Sequence, residues 1–330
     1  MPTFLTPGRH GYSVRFSRTR PDTLAVATSQ YYGLAGGGTL FFLELAPDGS
    51  TIIEVQKLEW SDGLFDVTWS GTTESAAACG AGDGAIIVWR VGCSAPLRVL
   101  RAHTSEVCSV DWPRTHLLSA SWDTTIKLWD PESEACLSTF VGHSQLVYTA
   151  AFSPHSPATF ASVSGDGHLK LWTCTEPSRP AAVVKAHDAE VLSCDWSRTE
   201  THALATAGCE CAVRRVQFSP HAPSILAAGS YDFTTRIHWK VCDSIESVNG
   251  GIVPNHCSVY CEDNQGYNRL QAFTRCRFIF NLLRKCIHSS DCFRTLHKDE
   301  KPIVIKDGGL PVVFMKEKCP ENISENILDA

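Results

Sequence analysis

No run of lysine or arginine stands out anywhere in this chain, and its 330 residues carry a formal net charge of −6. A nucleic-acid binder neutralises phosphates with a basic stripe, so that class of partner is not expected. Long apolar runs are missing too. No stretch approaches the length needed to cross a bilayer, and Met1 to Tyr12, broken by Pro2, Pro7, Gly8 and Gly11, lacks the apolar centre of a secretory signal. The closing residues Leu328, Asp329 and Ala330 match no retention, sorting or lipidation signal. These absences lead to the expectation of a cytoplasmic protein without membrane insertion. Only 19% of the residues are charged against 43% hydrophobic, a balance that suits a globular chain rather than a disordered one. Phosphate loops, nucleophile elbows and kinase signatures are also absent, so no catalytic residue and no cofactor is expected.

Fifteen cysteines are present. In a cytoplasmic chain they are expected to be reduced thiols that pack as small hydrophobes. Cys209-Glu210-Cys211, the Cys257/Cys261 pair beside His256, and Cys286 and Cys292 around His288 invite a metal reading. Only Cys257/Cys261 has the tight spacing zinc needs, and no matching second pair follows, so no metal is expected.

What is there is a repeat. Ala102-His103, Glu106 to Trp112 and Ser119 to Asp130 form one unit; Gly142-His143, Phe152-Ser153-Pro154 and Ser162 to Trp172 form the next; Ala186-His187 and Glu190 to Trp196 begin a third. His103 to His143 is about 40 residues and His143 to His187 about 44, the WD-repeat period. Each unit alternates short apolar runs with turn signals and reads as several strands. A His, a Ser, an Asp and a Trp at these spacings can form a buried hydrogen-bonded chain. The sequence assigns His103, Ser119, Asp123 and Trp129 to one, and His143, Ser162, Asp166 and Trp172 to another. A catalytic site is needed once and a fold-locking site once per blade, so these residues read as architectural. Weaker units precede them. One runs from Trp60, in the place of the His, through Asp83 to Trp89, and a degenerate first unit spans His10 to Leu43.

The repeat then breaks. Ala203 to Gly208 reads as a strand, but Cys209-Glu210-Cys211 runs directly into Ala212 to Pro220, the opening of another unit. Asp166 to Asp232 spans 66 residues where two repeats predict about 86, so roughly 20 residues are missing. After Ile237 the pattern stops. The expected fold is an all-β WD40-repeat β-propeller of seven-bladed type, with the junction of blades five and six shortened and the closing blade unrecognisable. Residues 1–237 are expected to form this incomplete propeller, and 238–330 a divergent Cys-rich tail of little order. Within the tail, Phe278 to Leu283 suits a short helix, and Ile303-Val304-Ile305 with Pro311 to Phe314 suits a hairpin.

Thr6 to Tyr12, Asp62 to Trp69, Glu190 to Trp196 and Ser230 to Thr234 resemble the peroxin-7 family, receptors for the type-2 peroxisomal targeting signal. The resemblance covers about residues 6–236 and leaves the tail uncovered. It implies a seven-bladed propeller that binds the N-terminal amphipathic helix of peroxisomal matrix proteins. It also implies a co-receptor, docking proteins at the peroxisome, and cycling between cytoplasm and peroxisome. Such a helix carries a basic residue and a Leu-rich face. Residues before each inner-strand Val and before each turn Asp face one side of a propeller. The resulting candidate face contains Phe65, Glu106, Trp122, Tyr148, Glu190, Arg214 and Tyr231, an apolar and acidic set suited to a helix in a groove. Glu106 and Glu190 would orient the cargo's basic residue more than supply affinity. Arg214 fits a basic signal poorly and is expected to face a co-receptor or an internal carboxylate. Two rival readings stand beside this one: a non-functional or regulatory isoform whose broken ring no longer binds cargo, and a generic WD-repeat scaffold in another complex.

Overall fold

The computed structural model describes residues 3–201, 203–209, 213–219 and 225–230 in full, and the backbone of strands at 235–240, 256–261, 303–305 and 312–314. The proposed helix at Phe278 to Leu283 lies outside the described residues. Antiparallel sheets follow one another along the chain. The first holds β1 (His10–Phe16), β2 (Thr23–Ser29), β3 (Gly38–Leu45) and β4 (Ile52–Trp60). The second holds β5 (Leu64–Trp69), β6 (Ala76–Ala81), β7 (Ala85–Arg90) and β8 (Arg98–Arg101). The third is β9 (Val107–Asp111), β10 (Leu117–Ser121), β11 (Thr125–Asp130) and β12 (Ala135–Val141). The fourth is β13 (Val147–Phe152), β14 (Thr159–Ser164), β15 (His168–Thr173) and β16 (Ala182–Lys185). Each is a blade, and the first strand of each lines a common channel. This is a WD40 β-propeller. No helix among the described residues is long and apolar enough to cross a membrane.

Residue size sets the layering. Second strands are rich in Ala and Ser (Ala76 to Ala81, Leu117 to Ser121) and buried throughout, because a neighbouring blade covers each of their faces. Larger side chains fill the space between blades. Leu40, Phe42, Trp69 and Trp89 pack between the first and second blades, and Phe140, Phe160 and Trp172 between the third and fourth. Outer strands keep one face in water, which leaves Ile53, Val55, Leu137, Val141 and Val183 exposed.

The break in the repeat has a direct structural form. The fifth sheet has two strands, β17 (Val191–Trp196) and β18 (Leu204–Gly208), and the chain then enters the sixth. That sheet holds β19 (Val213–Phe218), β20 (Ile225–Ser230), β21 (Thr235–Lys240) and β22 (His256–Cys261), so it extends past position 237, where the repeat pattern ends. Between the fifth and sixth blades, the described core residues are Ala205, Ala207, Val213, Val216, Leu226 and Ala228, with Phe218 at the edge. Further on, β23 (Ile303–Ile305) and β24 (Val312–Phe314) pair antiparallel.

One edge of every inner strand faces the channel and has no strand to pair with, so its amides need other acceptors. Side chains of the preceding blade supply them. Val110 N–H donates to Asp66 Oδ2 at 3.1 Å, Phe152 N–H to Asp111 Oδ2 at 2.9 Å, and Phe218 N–H to Asp195 Oδ2 at 2.8 Å. The last of these bridges the shortened junction. Burial raises the Asp111 and Asp195 carboxyls above the usual carboxylate range, opposed by these amide bonds and by nearby arginines. Replacing Asp111 by Ala leaves the Phe152 amide buried without its acceptor, so Asp111→Ala is expected to cost about 1–3 kcal/mol in urea denaturation. Asp111→Asn keeps an acceptor oxygen and is expected to cost clearly less.

Candidate functional site

The recurrent histidines sit where loops enter the blades. His103 follows β8, and its Nδ1 lies 2.6 Å from Asp123 Oδ2 while Nε2 lies 2.7 Å from Ser119 Oγ. Trp129 Nε1 donates to the same Ser119 Oγ at 2.8 Å. His143 repeats the pattern with Asp166, Ser162 and Trp172, each step 2.8 Å. The network assigns the protons: a neutral ring donates from Nδ1 to the carboxylate and accepts from the serine at Nε2. Each Asp also receives backbone amides, from Thr104 and Thr125 in one case and from Ser144 and His168 in the other. Both His side chains are fully shielded from solvent. With both nitrogens engaged, these rings have no lone pair or proton to offer a substrate.

The second and fifth blades carry partial versions. In the second, Trp60 Nε1 reaches Asp83 at 3.4 Å, Cys79 occupies the serine position, and the buried Trp89 Nε1 lacks a hydrogen-bond acceptor. In the fifth, His187 Nε2 lies 3.0 Å from Thr206 Oγ1. Among the described residues no Asp or Trp of the kind seen in the third and fourth blades follows β18 before the chain enters the sixth sheet.

These networks set a pH dependence. Burial holds His103 and His143 below the usual histidine range, with Asp123 and Asp166 pulling the other way. Burial opposes ionisation of Asp123 and Asp166, but hydrogen bonds from their partners win and hold both below the usual carboxylate range. Below about pH 6.5 the unfolded chain therefore binds protons at these histidines that the folded chain refuses, and stability falls with acidification. The carboxylates add to the loss below about pH 4. The melting temperature is expected to drop between pH 7.5 and 5.5 by circular dichroism. His103→Gln should be less stable throughout and less sensitive to pH over that range.

A second group of side chains gathers at one mouth of the channel, where the inner strands begin. Phe65, Cys108, Tyr148, Leu192 and Arg214 hold the second position of the inner strands or its equivalent. Tyr148 Oη donates to Glu190 Oε2 at 3.3 Å, joining the fourth and fifth blades. Burial, then the Glu190 charge and this hydrogen bond, push the Tyr148 phenol up to about 12, with Arg214 opposing. Cys108 is likewise raised by burial, with Arg214 lowering and Glu106 raising it, so these groups share one electrostatic environment. Arg214 thus faces the Tyr148/Cys108 mouth. Glu106 accepts from Ser105 Oγ through its side chain and from the Trp122 amide through its carbonyl, at 3.0 Å, which ties Trp122 to it. Trp122 is 37% exposed. Phe65 packs edge-on against Tyr12 at 4.9 Å. Tyr231 lies outside the described residues.

Two features of the channel mouths were not picked out from sequence. One is the loop after β2, where Tyr31, Tyr32 and Gly33 take φ of +42°, +56° and +74° in succession and expose both tyrosine rings. Gly33 is required there, since a Cβ would sit 2.6 Å from the Phe65 ring. The other is a set of arginines at the opposite mouth. Arg18, Arg114 and Arg198 each stand two residues after the aromatic that ends an inner-strand segment (Phe16, Trp112, Trp196), a register that superposing the repeats would have revealed.

The WD domain, G-beta repeat family model matches residues 94–130 and 134–173. The chain is 42% identical over 257 residues to the human peroxisomal targeting signal 2 receptor, covering 70% of this chain and 79% of that one. This chain belongs to that receptor family. The mouse receptor is 40% identical over 260 residues, covering 71% and 81%, and the Arabidopsis thaliana peroxisome biogenesis protein 7 is 38% identical over 135 residues, covering 39% and 42%. In this chain the fifth sheet has two strands, β17 and β18.

Proposed function

We propose that this chain is a receptor for type-2 peroxisomal targeting signals, acting by binding and not by catalysis. The observation that carries this reading is the channel mouth that combines Phe65, Tyr148 and Trp122 with the carboxylates Glu106 and Glu190. An amphipathic helix presents an apolar stripe and a basic residue, and this mouth offers the complement of both. The enclosed tetrads keep His103, Asp123, His143 and Asp166 from offering a free nitrogen or carboxylate for turnover. In this reading residues 1–237 carry recognition and 238–330 do not. A co-receptor and peroxisomal docking proteins complete a cycle between cytoplasm and peroxisome. No cofactor, metal or nucleic acid takes part.

The two-stranded fifth blade favours a second reading, an isoform that folds but no longer binds cargo. Glu190 stands at the head of that blade and Arg214 at the head of the next, so their separation depends on the shortened junction. Fluorescence anisotropy with a labelled type-2 signal helix on a small carrier, with and without co-receptor, separates the two. The receptor reading expects saturable binding, weakened at least tenfold, about 1.4 kcal/mol, by Glu106→Lys or Glu190→Lys without loss of the folded state. Wild-type binding that both folded variants retain would remove this mouth from the site. Absence of binding here, with binding restored by a full-length fifth blade, would establish the isoform reading.

A further inference from the structure

The channel mouth remote from Glu106 and Glu190 carries a charge arrangement that the receptor reading does not use. A cavity of about 640 Å³ opens there, lined by residues of all six inner-strand segments and the turns that follow them. None of Phe65, Cys108, Tyr148, Leu192 or Arg214 borders it. Five arginines do: Arg15, Arg18, Arg114, Arg198 and Arg215. The carboxylates about them are Asp66, Asp111 and Asp195, and each has one oxygen committed to a backbone amide of the next blade. Positive charge is therefore in excess at this mouth, in a chain whose net charge is −6.

Three of the arginines have identifiable partners. Arg215 and Arg15 approach the fully buried Asp66 Oδ1 at 3.6 and 4.0 Å, one from the sixth blade and one from the first. Arg114 donates to the Ser153 and Pro154 carbonyls of the next blade at 3.5 and 3.1 Å. Arg18 and Arg198 stand exposed at the rim and make no ion pair among the described residues. Arg18 is held below the usual arginine range by desolvation first, with Asp111 opposing and Arg198, Arg15 and Arg114 adding to it. Like charges are thus held within reach of one another around a solvent-filled space. Arg18, Arg114 and Arg198 come from the first, third and fifth blades, which spreads them around the axis instead of along one edge.

We propose that this mouth is a binding site for a small anion bearing several phosphate groups. Guanidinium forks bind phosphate oxygens bidentately, and arginines set around an axis suit a ligand with charges on more than one side. A single carboxylate would neutralise one of them and leave the rest. The proposal is independent of the receptor reading, because its residues and those of the candidate cargo face are disjoint. Soluble inositol polyphosphates and phosphoinositide headgroups present the same chemistry.

The test is the melting temperature of the full chain titrated with inositol hexakisphosphate at constant ionic strength, beside flotation with vesicles containing a phosphoinositide. A saturable rise in melting temperature supports a soluble ligand, and flotation supports the headgroup. Either response should weaken at least tenfold in Arg18→Ser/Arg198→Ser, whose melting temperature without anion should match wild type because both side chains are exposed. If that double variant does not fold, Arg18→Gln alone is expected to weaken the response severalfold. The absence of both responses, a rise that sodium chloride reproduces, or a response undiminished in a folded variant would overturn the proposal.

Discussion

The inner strand of each blade meets the channel with an unpaired edge, and the account rests on how that edge is satisfied. A bare strand edge inside a protein costs the desolvation of every unpaired amide. Here Asp66, Asp111 and Asp195 each reach forward to the next inner strand and accept a backbone N–H. Weaker bonds of the same kind run from the Trp112 amide to Thr68 and from the Val216 amide to Ser193, both at 3.4 Å. The acceptors are carboxylates, so they bring charge into a confined space. Arg15, Arg215 and the rim arginines answer it. The cationic character of one mouth follows from the way the blades are joined.

The same arrangement explains how the chain tolerates its shortened fifth blade. The sheet of β17 and β18 does not continue, among the described residues, into strands like those that in the third and fourth blades carry Trp129 and Trp172. The inner pair β17 and β18 remains, and with it Asp195, Ser193 and the bond to Phe218. His187 keeps its contact with Thr206. The outer strands stabilise a blade from outside, while the inner strand places Glu190 and Leu192 at the mouth. Loss of the former does not by itself remove the latter.

The architecture was readable in the sequence because it is repetitive. His103, Asp123 and Trp129 recur at fixed spacing in His143, Asp166 and Trp172, and a buried hydrogen-bonded chain imposes that spacing. The length deficit between Asp166 and Asp232 located the short blade for the same reason. The fourth strand of the sixth sheet, His256–Cys261, carries no repeat signature, and its pairing with β21 was not foreseen. The arginines at the second mouth escaped notice because an Arg in a turn after a strand reads as an ordinary solvated residue. Their significance lies in three turns converging on one axis, which is a property of the ring and not of any single repeat. The grouping of Glu106, Tyr148 and Glu190 was legible as a pattern of slots. The hydrogen bond between Tyr148 and Glu190, joining neighbouring blades, was not.

Native-state hydrogen exchange at four amides tests the central claim, that side-chain acceptors join the blades across the shortened junction as they do elsewhere. Val110 and Phe152 report intact junctions, while Val216 and Phe218 report the altered one. The account predicts that Phe218, like Phe152, exchanges only through global unfolding, with the same denaturant dependence. Rapid exchange of Val216 and Phe218 through local opening, with Val110 and Phe152 still protected, would contradict it.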